Sequence, residues 1–203
     1  MSGAWWRRTV VIVAVAVAVP VVATGTAAGD DADTAKPDLK VAVRSPSGTC
    51  GPYADDLPVL VARSNVAPGG TVADVGICVT NRGRPARVDL FVRELVDLDV
   101  ACSPDEASVD ATCGSNGRGE LSPALAQGVG VSASCSPQPA VDEGSVRALP
   151  SLSAAPVRIA DRLRNRDVVC VRLLLRFAPA ADDLGRVQSD RTTWRYLLAA
   201  DDR

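Results

Sequence analysis

The chain has 203 residues, a formal net charge of −2 and no histidine. It is long enough to bury a core unaided, but the missing histidine removes an HExxH zinc site, any Ser-His-Asp triad and any Cys-His pair in one step. Aromatic residues make up only 3%, so the core must be built from Val, Leu, Ile and Ala, which favours strands, and the slightly acidic balance argues against nucleic acid as a partner.

Residues 1–28 have the layout of a secretory signal. Arg7 and Arg8 give a basic start, Val10 to Val19 form an apolar run, Pro20 breaks it, and Thr26-Ala27-Ala28 offers small residues for cleavage after Ala28. The competing reading is an uncleaved anchor, because Thr9 to Ala28 has roughly the 20 residues a spanning helix needs; Pro20 and the small residues favour cleavage. Arg7-Arg8 also suggests a twin-arginine signal, although the flanking motif is incomplete. Residues 29–37, GDDADTAKP, are acidic and small and make a solvated linker.

From Asp38 to Arg44, Leu39, Val41 and Val43 alternate with Lys40 and Ala42, which predicts a first strand. Ser45 to Asp56 is turn material carrying Cys50, and Pro58 to Ser64 is a short strand. The clearest local unit is Pro68 to Leu95. Thr71 to Thr80 is rich in β-branched residues, Asn81-Arg82-Gly83 supplies residues that tolerate positive φ, and Val88, Leu90 and Val92 alternate with Asp89, Phe91 and Arg93. That pattern predicts a β-hairpin.

Val96 to Gly119 is a long excursion with Cys102 and Cys113 near its ends. Leu121 to Leu125 and Val129 to Ala133 read as two short strands, and Ser136 to Pro156 as a loop. Val157 to Asn165 places Ile159 and Leu163 at i and i+4 and predicts a short helix. Asp167 to Phe177 is a strong strand, with Val169, Val171, Leu173, Leu175 and Phe177 on one face. Thr192 to Ala199 is another, with Trp194, Tyr196 and Leu198 on one face and Arg195 opposed.

The PG-T-V start, the apolar strand, the N-x-G turn and the second strand together resemble the secreted TasA and camelysin family of bacterial β-sandwich proteins. Gly119-Glu120-Leu121-Ser122 adds to the likeness. So does DLGRVQSDRTTW, Asp183 to Trp194, which is similar to that family's D-N-x-x-Q-x-D-x-x-x-W ending, with Leu184 and Gly185 departing from it. The resemblance implies a fibre-forming surface or matrix protein whose N-terminal segment is donated to the next subunit, which makes Leu39, Val41 and Val43 assembly candidates. The plainer alternative, an edge strand of its own domain, is favoured. The camelysin name also implies a metalloprotease, which the missing histidine disfavours.

Six cysteines behind an export signal predict disulfides. Cys102 with Cys113 closes a local loop worth ~3 kcal/mol in the chain-entropy model. Cys78 and Cys170 both lie opposite their strands' apolar rows and permit an outer-face bridge, which leaves Cys50 with Cys135. A cysteine metal site lacks CxxC spacing. Glu106 and Asp110, like Asp183 and Asp190, offer oxygen ligands for calcium, but without EF-hand spacing solvated loop charge is the preferred reading. Glu94, Asp97 and Asp99 are paired carboxylates that nothing in the sequence places in a cleft. A Ser-Lys dyad would have to use Lys36 or Lys40, the only lysines.

The expectation is an all-β, jelly-roll or Ig-like antiparallel sandwich with long loops and one short helix over residues 38–203. It is secreted or held at the cell surface and is not an enzyme. It has no cofactor, and its work is structural or adhesive through self-association or other matrix proteins. Membrane contact comes only through an uncleaved leader. The alternative is a monomeric binding module whose loops recognise a protein or glycan.

Overall fold

The computed structural model describes residues 11–12, 36–57, 63–64, 69–99, 104–111, 113, 119–178, 187 and 190–201. Ten strands are present among them: β1 (Val11–Ile12), β2 (Leu39–Val43), β3 (Arg63–Ser64), β4 (Thr71–Asn81), β5 (Ala86–Asp99), β6 (Leu125–Ser132), β7 (Arg147–Ala148), β8 (Val157–Leu163), β9 (Val168–Phe177) and β10 (Asp190–Asp201). Two single-turn helices, α1 (Pro104–Ala107) and α2 (Ser151–Ala154), sit in the connections. A five-stranded sheet of order β2-β4-β9-β6-β7 packs on a three-stranded sheet of order β10-β5-β8, all antiparallel, while β1 and β3 make a separate two-residue ladder. The protein is an all-β sandwich, as expected.

The core lies between the sheets. Val169, Val171, Leu173, Leu175 and Phe177 of β9 face Val88, Leu90 and Val92 of β5 and Trp194, Tyr196 and Leu198 of β10, all buried. Burying a Leu or Phe side chain stabilises by ~1.5–3 kcal/mol, so period-2 rows of these residues fix which face of each strand turns inward. A buried polar contact links the layers. Tyr196 of the small sheet donates its hydroxyl to Gln127 Oε1 of β6, and Gln127 Nε2 donates to the Gly128 and Leu174 carbonyls at 2.7 and 3.2 Å.

The predicted hairpin does not form. β4 and β5 lie in different sheets, and residues 82–85 carry the chain across the sandwich. Both strands are strongly apolar on one face, and packing those faces against each other buries more surface than pairing their edges. The turn residues also act differently from expectation. Asn81 ends β4 fully buried, its Nδ2 donating to the Arg84 and Leu163 carbonyls (2.5 and 3.0 Å) and its Oδ1 accepting from Asp38 and Gly83 N–H (3.1 and 2.9 Å). Gly83 does not have positive φ. It is glycine because a Cβ there would run into the Lys36 carbonyl and the Asp38 nitrogen.

Three further expectations are corrected. Val157–Leu163 is strand β8 and not a helix, because Ile159 and Leu163 are two even steps apart and so also share one face of a strand. Leu121 to Ala133 gives one strand, β6, after a 3-10 turn at Ser122–Ala124. Within Ser136 to Pro156, a 3-10 turn, β7 and α2 form.

Candidate functional site

Leu39 and Val41 are 1% exposed, and β2 pairs with β4 of its own chain from Leu39↔Asn81 to Val43↔Ile77. The strand fills its own sheet, and of the three assembly candidates only Val43, at 41%, reaches solvent. β2 is that sheet's edge strand, as expected, and its outer side is covered by residues 51–54. β10 is 12 residues long and ladders only with β5 among the described strands.

The four cysteines of the large sheet meet on its outer face. Cys78 and Cys170 stand directly opposite on β4 and β9 with their sulfurs 3.5 Å apart, as their shared orientation in the sequence implies. The bonds, however, run Cys50–Cys78 and Cys135–Cys170, so both expected pairings, Cys78 with Cys170 and Cys50 with Cys135, are corrected. The loops carrying Cys50 and Cys135 fold over the sheet and bring one sulfur to each strand cysteine. Arg44 Nε holds the second loop by donating to the Cys135 carbonyl at 2.7 Å. With Ala42, Tyr53 and Val168 the cysteines make a second, small apolar cluster, and their four sulfurs lie within 4.8 Å of one another. Two disulfides suit an oxidising compartment, and no helix among the described residues is long and apolar enough to cross a membrane. Cys113 is disulfide-bonded; Cys102, its expected partner, lies outside the described residues.

The acidic residues reverse the expectation of solvated charge. Asp190 is 2% exposed, Glu106 1% and Asp110 8%; Asp183 lies outside the described residues. A β-bulge brings further carboxylates to Asp190. Between Arg93↔Arg195 and Val96↔Thr193, Glu94 and Leu95 together oppose the single residue Trp194, with Glu94 at φ 51°. The extra residue switches the inward face of β5 from Val88, Leu90 and Val92 to Leu95, Asp97 and Asp99. Val96 and Leu98 are thereby turned outward and are 45% and 41% exposed.

In the β5–β10 ladder Asp99 then opposes Asp190, and Asp97 opposes Thr192. Ser122 N–H and Oγ–H donate to Asp97, and Glu120 N–H donates to Asp190 Oδ2. Burial is the main cause that pushes the Asp190 carboxyl up to about 7; the Glu120 N–H opposes the shift, and the charges of Glu106, Asp99 and Asp97 add to it. Sequence reasoning singled out Glu106, Asp110 and Asp190 but not that the ladder sets Asp99 opposite Asp190. The bulge that produces it has no signature glycine.

A surface pocket of about 470 Å³ is lined by Tyr53, Thr80, Arg82, Asn165, Arg166 and Val168. Arg166, at φ 66°, is set by its N–H bond to the Asn81 carbonyl at 2.7 Å. Burial raises the Tyr53 hydroxyl, and the nearby Arg82 charge opposes that shift. No protein-family model and no curated protein matches the chain.

Proposed function

We propose that this protein is an exported, non-catalytic sandwich with a structural or adhesive role at the cell surface or in the extracellular matrix, acting through self-association. The observation that carries this reading is the outward-turned, exposed pair Val96 and Leu98 of β5, beside β10, the strand at the margin of the small sheet among the described residues. A long edge strand is a template for another strand, and two exposed apolar side chains on the adjoining strand give an incoming chain something to bury. The disulfide-stapled sheet and the signal-like leader fit work outside the cell. Association here uses the small sheet, and β2 stays in its own sheet. The missing histidine weighs against a camelysin-like protease.

Negative-stain microscopy and size-exclusion chromatography of the mature protein over days test this. Filaments or growing oligomers, suppressed by Leu98→Lys, are the expected result; a persistent monomer overturns it. The second reading, a monomeric binding module, is favoured by the Tyr53–Arg82–Arg166 pocket, whose two guanidinium groups suit an anionic protein or glycan group. In that case a monomer would bind acidic glycans and lose binding in Arg82→Ala.

A further inference from the structure

We propose that Cys50, Cys78, Cys135 and Cys170 become a tetrahedral thiolate site for zinc when their two bridges are reduced. No other group of three or more cysteine or carboxylate side chains brings its ligand atoms together among the described residues. A zinc ion held at ~2.3 Å by four sulfurs sets them ~3.8 Å apart. The contacts between the two bridges already have that spacing, Cys78 to Cys170 at 3.5 Å and Cys50 to Cys135 at 3.9 Å. Only the bonded pairs have to part. Four sulfurs in a tetrahedron select zinc over the hard cations. No CxxC spacing announces them because each comes from a separate strand or loop, with 28 residues from Cys50 to Cys78 and 35 from Cys135 to Cys170.

What holds the four residues in place does not depend on the sulfur–sulfur bonds. Cys78 and Cys170 are a directly opposed pair inside a ladder that runs from Thr71↔Arg176 to Thr80↔Val168, which keeps their Cβ atoms ~4.5–5.5 Å apart. The loop carrying Cys50 is tied to β2 by the Gly51 and Ala54 N–H groups, which donate to the Val43 and Val41 carbonyls at 2.9 and 2.8 Å. The loop carrying Cys135 is held by Arg44 and touches the first, since a Cβ at Gly48 would lie 2.9 Å from the Cys135 carbonyl oxygen. Arg44 is 7% exposed and opposes Cys50 across an isolated bridge. Its fixed positive charge therefore stands beside the sulfurs and favours their thiolate form. Cys50 and Cys135 are half-buried, which leaves zinc a way in. Each bridge takes two electrons and two protons from a dithiol, which becomes a disulfide as the Cys–Cys bond breaks, and the four thiols then release four protons as the Zn–S bonds form. The sheet is thus stapled by disulfides in an oxidising compartment and by metal in a reducing one.

The test compares the mature protein with its disulfides intact and the same protein reduced by a phosphine in the absence of oxygen, each equilibrated with zinc and desalted. Elemental analysis is expected to find one zinc per reduced chain and none in the oxidised chain. Zinc at about 1,000 times its Kd should raise the Tm of the reduced chain by roughly 8–16 °C. Cobalt in place of zinc should show the thiolate charge-transfer and tetrahedral d–d bands of a four-sulfur site. Cys50→Ser, on a loop and outside the ladder, should weaken zinc binding more than ~100-fold, beyond the ~10–100-fold that losing a supporting partner costs. Cys113→Ser, outside the group, should keep full binding. A reduced chain that unfolds and is refolded by zinc upholds the site, because binding free energy is then folding free energy. The site is overturned by a reduced chain that takes up no zinc, by uptake that neither raises the Tm nor restores the fold, by cobalt bands of another geometry, or by full binding in Cys50→Ser.

Discussion

Replacing Asn81 removes one side chain that joins four segments of backbone. Its amide makes four hydrogen bonds: to the start of β2 through Asp38, to the crossing segment through Gly83 and Arg84, and to the end of β8 through Leu163. In Asn81→Ala the bond to the buried Leu163 carbonyl leaves an acceptor unsatisfied, costing ~1–3 kcal/mol, and the other three, nearer water, cost ~0.5–1.5 kcal/mol each. The expected loss is therefore ~2.5–7.5 kcal/mol, a large part of the ~5–15 kcal/mol that stabilises a typical domain. Asn81→Asp separates shape from hydrogen bonding. It keeps the acceptor for Asp38 and Gly83 N–H but sets a carboxylate oxygen against two carbonyl oxygens, so it should cost at least ~3 kcal/mol at neutral pH and recover in part in acid, where the protonated carboxyl donates again. Urea unfolding followed by tryptophan fluorescence measures both, and in a chain started at Gly29, which lacks Trp5 and Trp6, Trp194 is the sole reporter. Losses below ~1 kcal/mol for both variants would refute the assignment of Asn81 as the joint between the sheets.

Non-reduced peptide mapping should recover Cys50 linked to Cys78 and Cys135 linked to Cys170; a Cys78–Cys170 peptide would contradict the structure. Reduction should cost ~3 kcal/mol or more per bridge, given loops of 28 and 35 residues, seen as a lower urea midpoint. Glu94→Gly should hold or raise stability by up to ~1 kcal/mol, because glycine adopts the bulge's positive φ freely, whereas a clear loss in the same urea assay would count against the bulge. The Arg172 guanidinium, bonded to both Asp74 oxygens, holds the Asp74 carboxyl below its ordinary 3.8. Its contribution is thus present above that value and lost as pH falls through the folded one. Asp74→Asn should flatten the acid limb of the stability curve by at most ~1 kcal/mol, the pair being partly exposed.

Where a segment's alternation is long, the sequence showed its fate. Five apolar residues on one face of β9, and Trp194, Tyr196 and Leu198 on β10, left only one way to sit against a core. Shorter segments failed for specific reasons. Asn-Arg-Gly announces that the chain reverses, but not whether the next strand joins the same sheet or the opposite one, which the mutual burial of β4 and β5 decides. Ile159 and Leu163 satisfy helix and strand spacing alike, and the free ladder positions on β5 settle the matter. The cysteine orientations of β4 and β9 were legible, whereas the bonds depend on how two irregular loops drape over them. The acidic residues were legible singly but not as opposed neighbours, because Asp99 and Asp190 meet only across a ladder whose face is switched by one extra residue.

The passage of residues 82–85 from one sheet to the other also shapes how the molecule assembles in time. Because β4 and β5 do not pair, no hairpin forms there from neighbouring residues; β4 can ladder early only with the short β2, and its long partner β9 comes late, Cys170 lying 92 positions beyond Cys78. Folds dominated by such distant pairings form in roughly milliseconds to seconds, and not microseconds. At a synthesis rate of roughly 5–20 residues per second, the wait for β9 is longer than the folding step itself, so the large sheet stays incomplete until that strand exists. The Cys135–Cys170 bridge can likewise close only then, so one of the two outer-face staples reports completion of the large sheet.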